Sequence, residues 1–292
     1  QTPVGEHWDV SLRDLGVRAI LAALEDARLA GPSALYVGNM LSGQLSGQEN
    51  LGALLADQAG LRGIEAYRIE AACASGAAAL RLAAMAVAGG LHDIVVACGV
   101  EKMTEAPPQQ VTSALAAAAD AEYEAEHGIS FVGLNALLMR RYLHVYGYTR
   151  EDLGGFAINA HRNGANNPFA MYQRPISPEV YAKARMVADP VSLLDSAGIA
   201  DGAAAVVLAP MAYAQERGLP VIRIAGSAAA TDSVALHDRV DLLKLQAAEA
   251  SARRAYAQAG IGPEQVDFFE LHDAFTIMSA LSLEAAGFAK PG

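Results

Sequence analysis

Two short apolar runs constrain the fold of this chain more than any other feature: residues 93–98 (DIVVAC) and residues 203–208 (AAAVVL). Past the leading Asp93, neither alternates apolar with polar side chains, so neither has a face to leave in water. A strand of that kind needs cover on both sides. Helical spacing in the flanking segments supplies the cover. The pattern therefore predicts an α/β fold with a largely parallel sheet.

Ser11-x-x-Asp14 has the form of a capping box, and Leu12, Leu15, Ala19, Ala23 and Ala27 follow at helical spacing, so a helix is expected over residues 12–29. A strand is expected over 34–37, a Gly- and Ser-rich loop over 42–47, and a helix over 48–60. Residues 66–71 read as a strand and 77–88 as an Ala-rich helix ended by Gly89-Gly90. About a hundred residues separate the two apolar runs, too many for a structureless loop in a compact fold. They predict an inserted cap or binding subdomain over about 104–190, with helices at 134–146 and 151–165. Past Pro210 the order restarts with a strand at 221–225, a helix at 241–259, a strand at 267–271 and a helix at 275–286. The expected division is thus 1–210 and 211–292, the second part echoing the first.

Asp and Glu number 32 against 21 Lys and Arg, a formal charge of -11, which argues against nucleic acid or an anionic membrane as a general partner. No apolar run reaches membrane-spanning length, so no membrane span is expected. The two cysteines, Cys73 and Cys98, are too few for a disulfide framework and lack zinc-site spacing, which points to a reducing cytoplasm. No Walker loop, GxGxxG, GxSxG, HExxH or CxxC is found, so nucleotide hydrolysis, dinucleotide binding and zinc chemistry lose support, and no metal is expected. The chain begins at Gln1 without a Met or a leader and stops at Gly292 directly after a helical pattern, so both ends are expected to be incomplete.

Cys73 lies in Glu70-Ala71-Ala72-Cys73-Ala74-Ser75-Gly76, between a predicted strand and a helix start. A helix N-terminus favours thiolate, and the small residues after Cys73 let a substrate approach the backbone amides. On the residues alone, a small buried core cysteine is the other reading. Cys98, inside an apolar run with no helix start after it, reads as core. Phe268-Phe269-Glu270-Leu271-His272-Asp273-Ala274-Phe275 repeats the arrangement, an apolar run feeding a His-Asp pair into a helix. Either His272 donates to an oxyanion or a water with Asp273 orienting it, or Asp273 is an N-cap and His272 a turn residue. His127, beside Gly128 in the insertion, is placed to face a ligand. The basic residues Arg140, Arg141, Arg174, Lys183 and Arg185 also lie there and offer partners for a phosphate-bearing ligand or form a solvated face.

Taken together, these segments resemble the thiolase family. Ala72-Cys73-Ala74-Ser75-Gly76 is similar to its nucleophile motif, Gly99-Val100-Glu101-Lys102-Met103-Thr104 to the segment after its next strand, and Asp201-Gly202-Ala203-Ala204-Ala205 to its later Asp-Gly-Ala-Ala motif. His272-Asp273-Ala274-Phe275 stands where most thiolases carry Asn-Glu-Ala-Phe, and this version is similar to the sterol-carrier-protein-type and archaeal-type thiolases. The resemblance implies a five-layered α-β-α-β-α fold of two similar βαβ-rich halves, the second incomplete in this chain. It implies ping-pong acyl transfer, with Cys73 as the nucleophile that takes the acyl group from a 3-oxoacyl-CoA and His272 as an oxyanion-hole residue. The candidate residues for binding substrate and CoA are His127, Phe131, Arg174, Ser227 and Phe275. CoA would be a substrate and no cofactor would stay bound. A homodimer or tetramer is implied, as is an OB-fold partner of the DUF35 type. The family's Gly-His-Pro histidine and second catalytic cysteine have no counterpart, since no His follows His272 and no Cys follows Cys98. The rival readings are a thiolase-like aldolase and a non-catalytic acyl-CoA-binding scaffold.

Overall fold

The computed structural model describes residues 1–292. In chain order it contains α1 (Leu12–Asp26), β1 (Ala34–Gly38), α2 (Ser42–Leu45), α3 (Leu51–Gln58), β2 (Glu65–Ile69), α4 (Ser75–Ala88), β3 (Val95–Glu101), α5 (Pro108–Ala116) and α6 (Phe131–Tyr146). There follow α7 (Gly154–Gly164), α8 (Pro178–Ala182), β4 (Met186–Ala188), β5 (Val191–Ser192), β6 (Gly202–Leu208), α9 (Met211–Glu216), α10 (Gln246–Ala259) and α11 (Thr276–Ala285). Two compact units result, one built from Gln1–Ala114 with Ile199–Ile224 and one from Leu115–Gly198 with Ala225–Gly292.

The first unit is a four-stranded sheet in the order β2-β1-β3-β6. β2, β1 and β3 run parallel, while β6 returns antiparallel beside β3. Strand side chains alternate between faces. Leu35, Val37, Val96, Cys98 and Val100 enter one apolar cluster with Leu15 and Ile20 of α1 and Leu51 and Leu55 of α3. Ala34, Tyr36, Val95 and Ala97 enter the opposite cluster with Ala79, Ala83 and Ala86 of α4. Each fully buried Leu, Ile or Val side chain contributes roughly 1.5–3 kcal/mol relative to exposure. Helix α1 starts as its sequence predicts: Ser11 Oγ accepts from the Asp14 amide at 3.1 Å and donates to the Asp14 carboxylate at 2.8 Å.

The second unit is mainly helical. Its core joins Ala136, Leu138, Met139 and Tyr142 of α6 to Val191 of β5 and to Ile277, Ala280 and Leu281 of α11. A two-stranded antiparallel pair, β4-β5, is its sheet component. No helix of the chain is long and apolar enough to cross a membrane.

Three element expectations are corrected. Residues 42–45 are a short helix rather than loop, because Asn39 Oδ1 accepts the Ser42 amide at 3.0 Å and the Gln44 and Leu45 amides turn back to the Leu41 carbonyl. Strand β6 lies at the edge of the sheet and runs antiparallel, and Val206 is 49% exposed, so the cover expected on both of its faces is incomplete on one. Residues 221–225 and 267–271, both expected as strands, pair with nothing, and Ile222 and Phe268 are 100% and 80% exposed. An apolar β-rich run becomes a strand only where a neighbour offers its edge.

Candidate active site

Cys73 belongs to the first unit and His272 to the second, and each is built by its own surroundings. Strand β2 ends at Ile69, and a 3-10 turn, Ala72–Ala74, carries Cys73 into α4. Ala72 holds a left-handed backbone with φ 47°, a conformation that costs a non-glycine residue about 1–2 kcal/mol. Side chains on both sides offset that cost. The Glu70 carboxylate accepts the Ala72 amide at 2.6 Å, and the buried Ser75 hydroxyl accepts the Ala71 amide at 2.9 Å while donating to the Ala72 carbonyl at 2.6 Å. Ser75 is therefore a pin for the turn, a role its reading as a mere small residue misses.

The start of α4 lies directly against the sheet because Gly38 carries no side chain. A Cβ there would stand 2.6 Å from the Gly76 Cα and closer still to the Ser75 carbonyl. In β3, register partner of Gly38, Gly99 is a second glycine against Gly76. Cys73 is solvent-accessible at this turn, though protein packed around it still strips part of the hydration from its sulfur.

The electrostatics at Cys73 run against the expectation of an easily formed thiolate. Desolvation pushes the thiol above its ordinary range, its own amide pulls the other way, and the Glu101 carboxylate raises it further. Glu101 is fixed in place, accepting the Met40 and Leu41 amides at 2.9 and 3.2 Å and the Asn39 side-chain amide at 2.8 Å. Its own acid is pushed up by burial against those hydrogen bonds. Cys98, 1% exposed, has its thiol pushed up to about 12 by burial.

The two remaining motif segments of the first unit meet at Asp201. Its buried carboxylate accepts the amides of His7, Met103 and Thr104, the Thr104 hydroxyl at 2.6 Å and Lys102 Nζ at 3.1 Å. Burial opposes its ionisation, but these donors outweigh burial and hold the carboxyl down to about 2. Lys102 also donates to the His7 carbonyl at 2.6 Å and pairs with Glu105 at 3.3 Å. The motif Asp thus latches strand ends together; its contacts are structural.

In the second unit, His272 and Asp273 are exposed on the segment leading to α11. Phe275 is the N-cap residue of that helix and a buried member of the core against which Phe131, at the start of α6, is packed. His127 is exposed in a 3-10 turn, Ala125–His127. Arg174 is exposed, and its carbonyl accepts from His161 Nδ1 at 3.1 Å. The Ser227 amide donates to Gln258 Oε1 at 2.8 Å. A groove of about 550 Å³ lies just beyond it, lined by Ala229, Ala230, Thr231, Gln246, Ala250 and Arg254. The structure thus brings Phe131 and Phe275 into one core and sets His127 and Arg174 at the surface. No group of three or more His, Cys, Asp or Glu side chains converges as metal ligands would.

Residues 1–212 match the family described as thiolase, N-terminal domain, and residues 228–292 match thiolase C-terminal domain-like. The chain belongs to the thiolase family. This thiolase is 45% identical to an acetyl-CoA acetyltransferase of Methanothermobacter thermautotrophicus over all of its own length and 76% of that protein. It is 40% identical to the acetyl-CoA acetyltransferase of Methanocaldococcus jannaschii, with all of this chain and 75% of that protein covered. Among solved structures, the Ltp2-ChsH2(DUF35) aldolase superposes with a TM-score of 0.80 at 27% identity, over 99% of this thiolase and 75% of that chain. The α/β thiolase fold and acyl transfer of the thiolase type follow as the fold and activity class of the chain.

Proposed function

We propose that this thiolase moves acyl groups between CoA thioesters through a covalent acyl-Cys73 intermediate. The observation that carries the reading is the pinned turn at Ala72–Ala74, which holds an exposed cysteine at a strand-to-helix junction within the thiolase motif. In the cleavage direction Cys73 sulfur adds to the 3-oxo carbon of a 3-oxoacyl-CoA. The bond between that carbon and the α-carbon breaks, the departing acetyl-CoA carbanion takes up a proton, and the acyl group stays on sulfur. The thiolate of a second CoA then adds to the acyl-cysteine and expels Cys73. Condensation runs the same steps backwards. His272 is assigned to donate to the oxygen that gains charge at the thioester or ketone.

CoA enters as substrate, with no resident cofactor, and His127, Phe131, Arg174, Ser227 and Phe275 are assigned to the acyl-CoA. Phe131 and Phe275 would act by shaping the core beside the ligand rather than by direct polar contact. A division near residue 210, a homodimer or tetramer, a cytoplasmic setting and an OB-fold partner of the DUF35 type complete the proposal. The name of the superposing aldolase complex supports the last of these.

Incubation with acetoacetyl-CoA followed by peptide mass spectrometry tests the central step. An added acetyl mass on the Cys73 peptide is expected, since cleavage beside the 3-oxo carbon leaves a two-carbon acyl group on sulfur. In Cys73→Ala thiolysis falls by about three orders of magnitude or more, because removing a nucleophile leaves binding alone. An unmodified Cys73 in active protein, with Cys73→Ala still turning over, overturns the reading in favour of an aldolase.

A further inference from the structure

Residues 267–273 of the second unit carry His272 but make no hydrogen bond of their own and pair with no strand. The Phe269 ring meets Phe288 with centroids 4.9 Å apart, and the hydrogen bonds that anchor the segment lie on its C-terminal side. The Ala274 carbonyl accepts the Ala197 amide at 2.9 Å, Phe275 forms a bridge with Ser196, and the Thr276 hydroxyl donates to Asp195 Oδ1 at 2.7 Å. Helix α11 begins at Thr276 with no side-chain cap, so the hydroxyl of its first residue is spent on Asp195 and not on the helix. Residues 195–197 thus grip residues 274–276 at three consecutive positions.

Asp195 is itself immobilised. Its side chain is fully buried; Oδ1 also accepts the Tyr181 hydroxyl, and Oδ2 accepts the Ser192 amide at 2.9 Å and hydroxyl at 2.6 Å. Arg150 stands 3.7 Å from Oδ2 and donates to the carbonyls of Tyr181 and Ala182 at 3.3 and 2.8 Å, so the carboxylate is paired as well as hydrogen-bonded. A buried ion pair with every acceptor occupied is costly to build for packing alone and is suited to fixing one geometry. The grip it exerts ends two residues from His272.

We propose that Asp195 and Thr276 form a positioning pair that sets where His272 stands during acyl transfer. Neither side chain needs to touch substrate; they act through the backbone of Ala274 and Phe275. This inference rests on the role given to His272 under Proposed function. It adds that the hydrogen bonds which hold the histidine's placement lie at the start of α11.

The test measures kcat and KM for thiolysis of acetoacetyl-CoA by CoA in Thr276→Val, Thr276→Ser and His272→Ala, alongside histidine-selective NMR of the His272 ring. Thr276→Val keeps the size of the side chain and removes the donor. It is expected to lower kcat about tenfold with KM within about twofold, since small misplacements of a reacting group are costly, and to move or broaden the His272 resonance. Thr276→Ser restores both, and adding Thr276→Val to His272→Ala costs nothing further. A Thr276→Val protein with native kcat and an unmoved His272 resonance overturns the positioning pair while leaving His272→Ala inactive. A His272→Ala protein of full activity overturns the histidine's role instead, and the NMR signal still reports whether the pair positions it.

Discussion

The two segments to which the proposed acyl transfer assigns its residues, 66–76 and 267–276, are written alike and built differently. Both are β-rich runs that deliver a reactive side chain to a helix start. In the first, the run joins a sheet as β2 and a buried serine pins the turn. In the second, the run pairs with no strand and is largely exposed, and the helix start is anchored from the far side through Asp195. Strand propensity records a fit to a half-buried surface, and a helix start can be anchored by a buried carboxylate where no strand leads into it.

The first segment is most vulnerable at Gly38. Gly38→Ala drives a methyl into the Ser75 carbonyl and Gly76, where backbone rather than a flexible side chain must give way. A loss of roughly 2–3 kcal/mol is expected from urea unfolding, together with slower alkylation of Cys73 as the turn shifts. Unchanged stability would mean that α4 does not depend on this approach.

The next largest effect concerns acid. The Asp201 carboxyl, held at about 2 against an ordinary 3.8, stabilises the fold fully above pH 3.8, and this contribution is lost as pH falls toward 2. The amount is roughly 2 kcal/mol. Asp201→Asn should flatten the fall of the urea midpoint across that range; an unaltered acid slope would assign acid lability elsewhere.

A smaller effect is expected at Glu101. Glu101→Gln removes a negative charge that raises the Cys73 thiol, so the pH profile of iodoacetamide labelling moves to lower pH. The movement is modest, because desolvation is the larger cause. A profile that moves upward would reverse the assigned sign.

The smallest effect belongs to the second segment. Phe268→Ser, at a side chain 80% exposed, should alter stability by no more than roughly 0.5 kcal/mol. A loss of several times that value would show the segment to be packed like its counterpart in β2.

Much of the first unit was legible because its signals are local. The Ser11 cap, the run in β3 and the Ala-rich spacing of α4 each lie within about four helical turns, and the structure reproduces them with shifts of one to three residues at most starts and ends. The order strand, cysteine, helix was likewise readable. The direction of the Cys73 shift was not, since it depends first on how the folded turn desolvates the thiol and then on a carboxylate 28 positions later in the chain. The same limit hides the Asp195 cluster. Its donors come from Tyr181, Ser192 and Thr276, and no periodicity within α11 announces that Thr276 reaches back 81 residues. Asp201 was recognised by resemblance alone; its latch to His7 and Thr104 became visible only in space.

That latch gives the first unit a particular history on the ribosome. Its sheet is interrupted by Leu115–Gly198, which belong to the other unit, so β3 must wait through that whole stretch of synthesis for β6. Until then the nascent chain carries an uncovered apolar edge, with Lys102 lacking the Asp201 carboxylate. Translation speed and chaperone access between residues 115 and 201 are therefore expected to govern yield more than changes elsewhere in the chain.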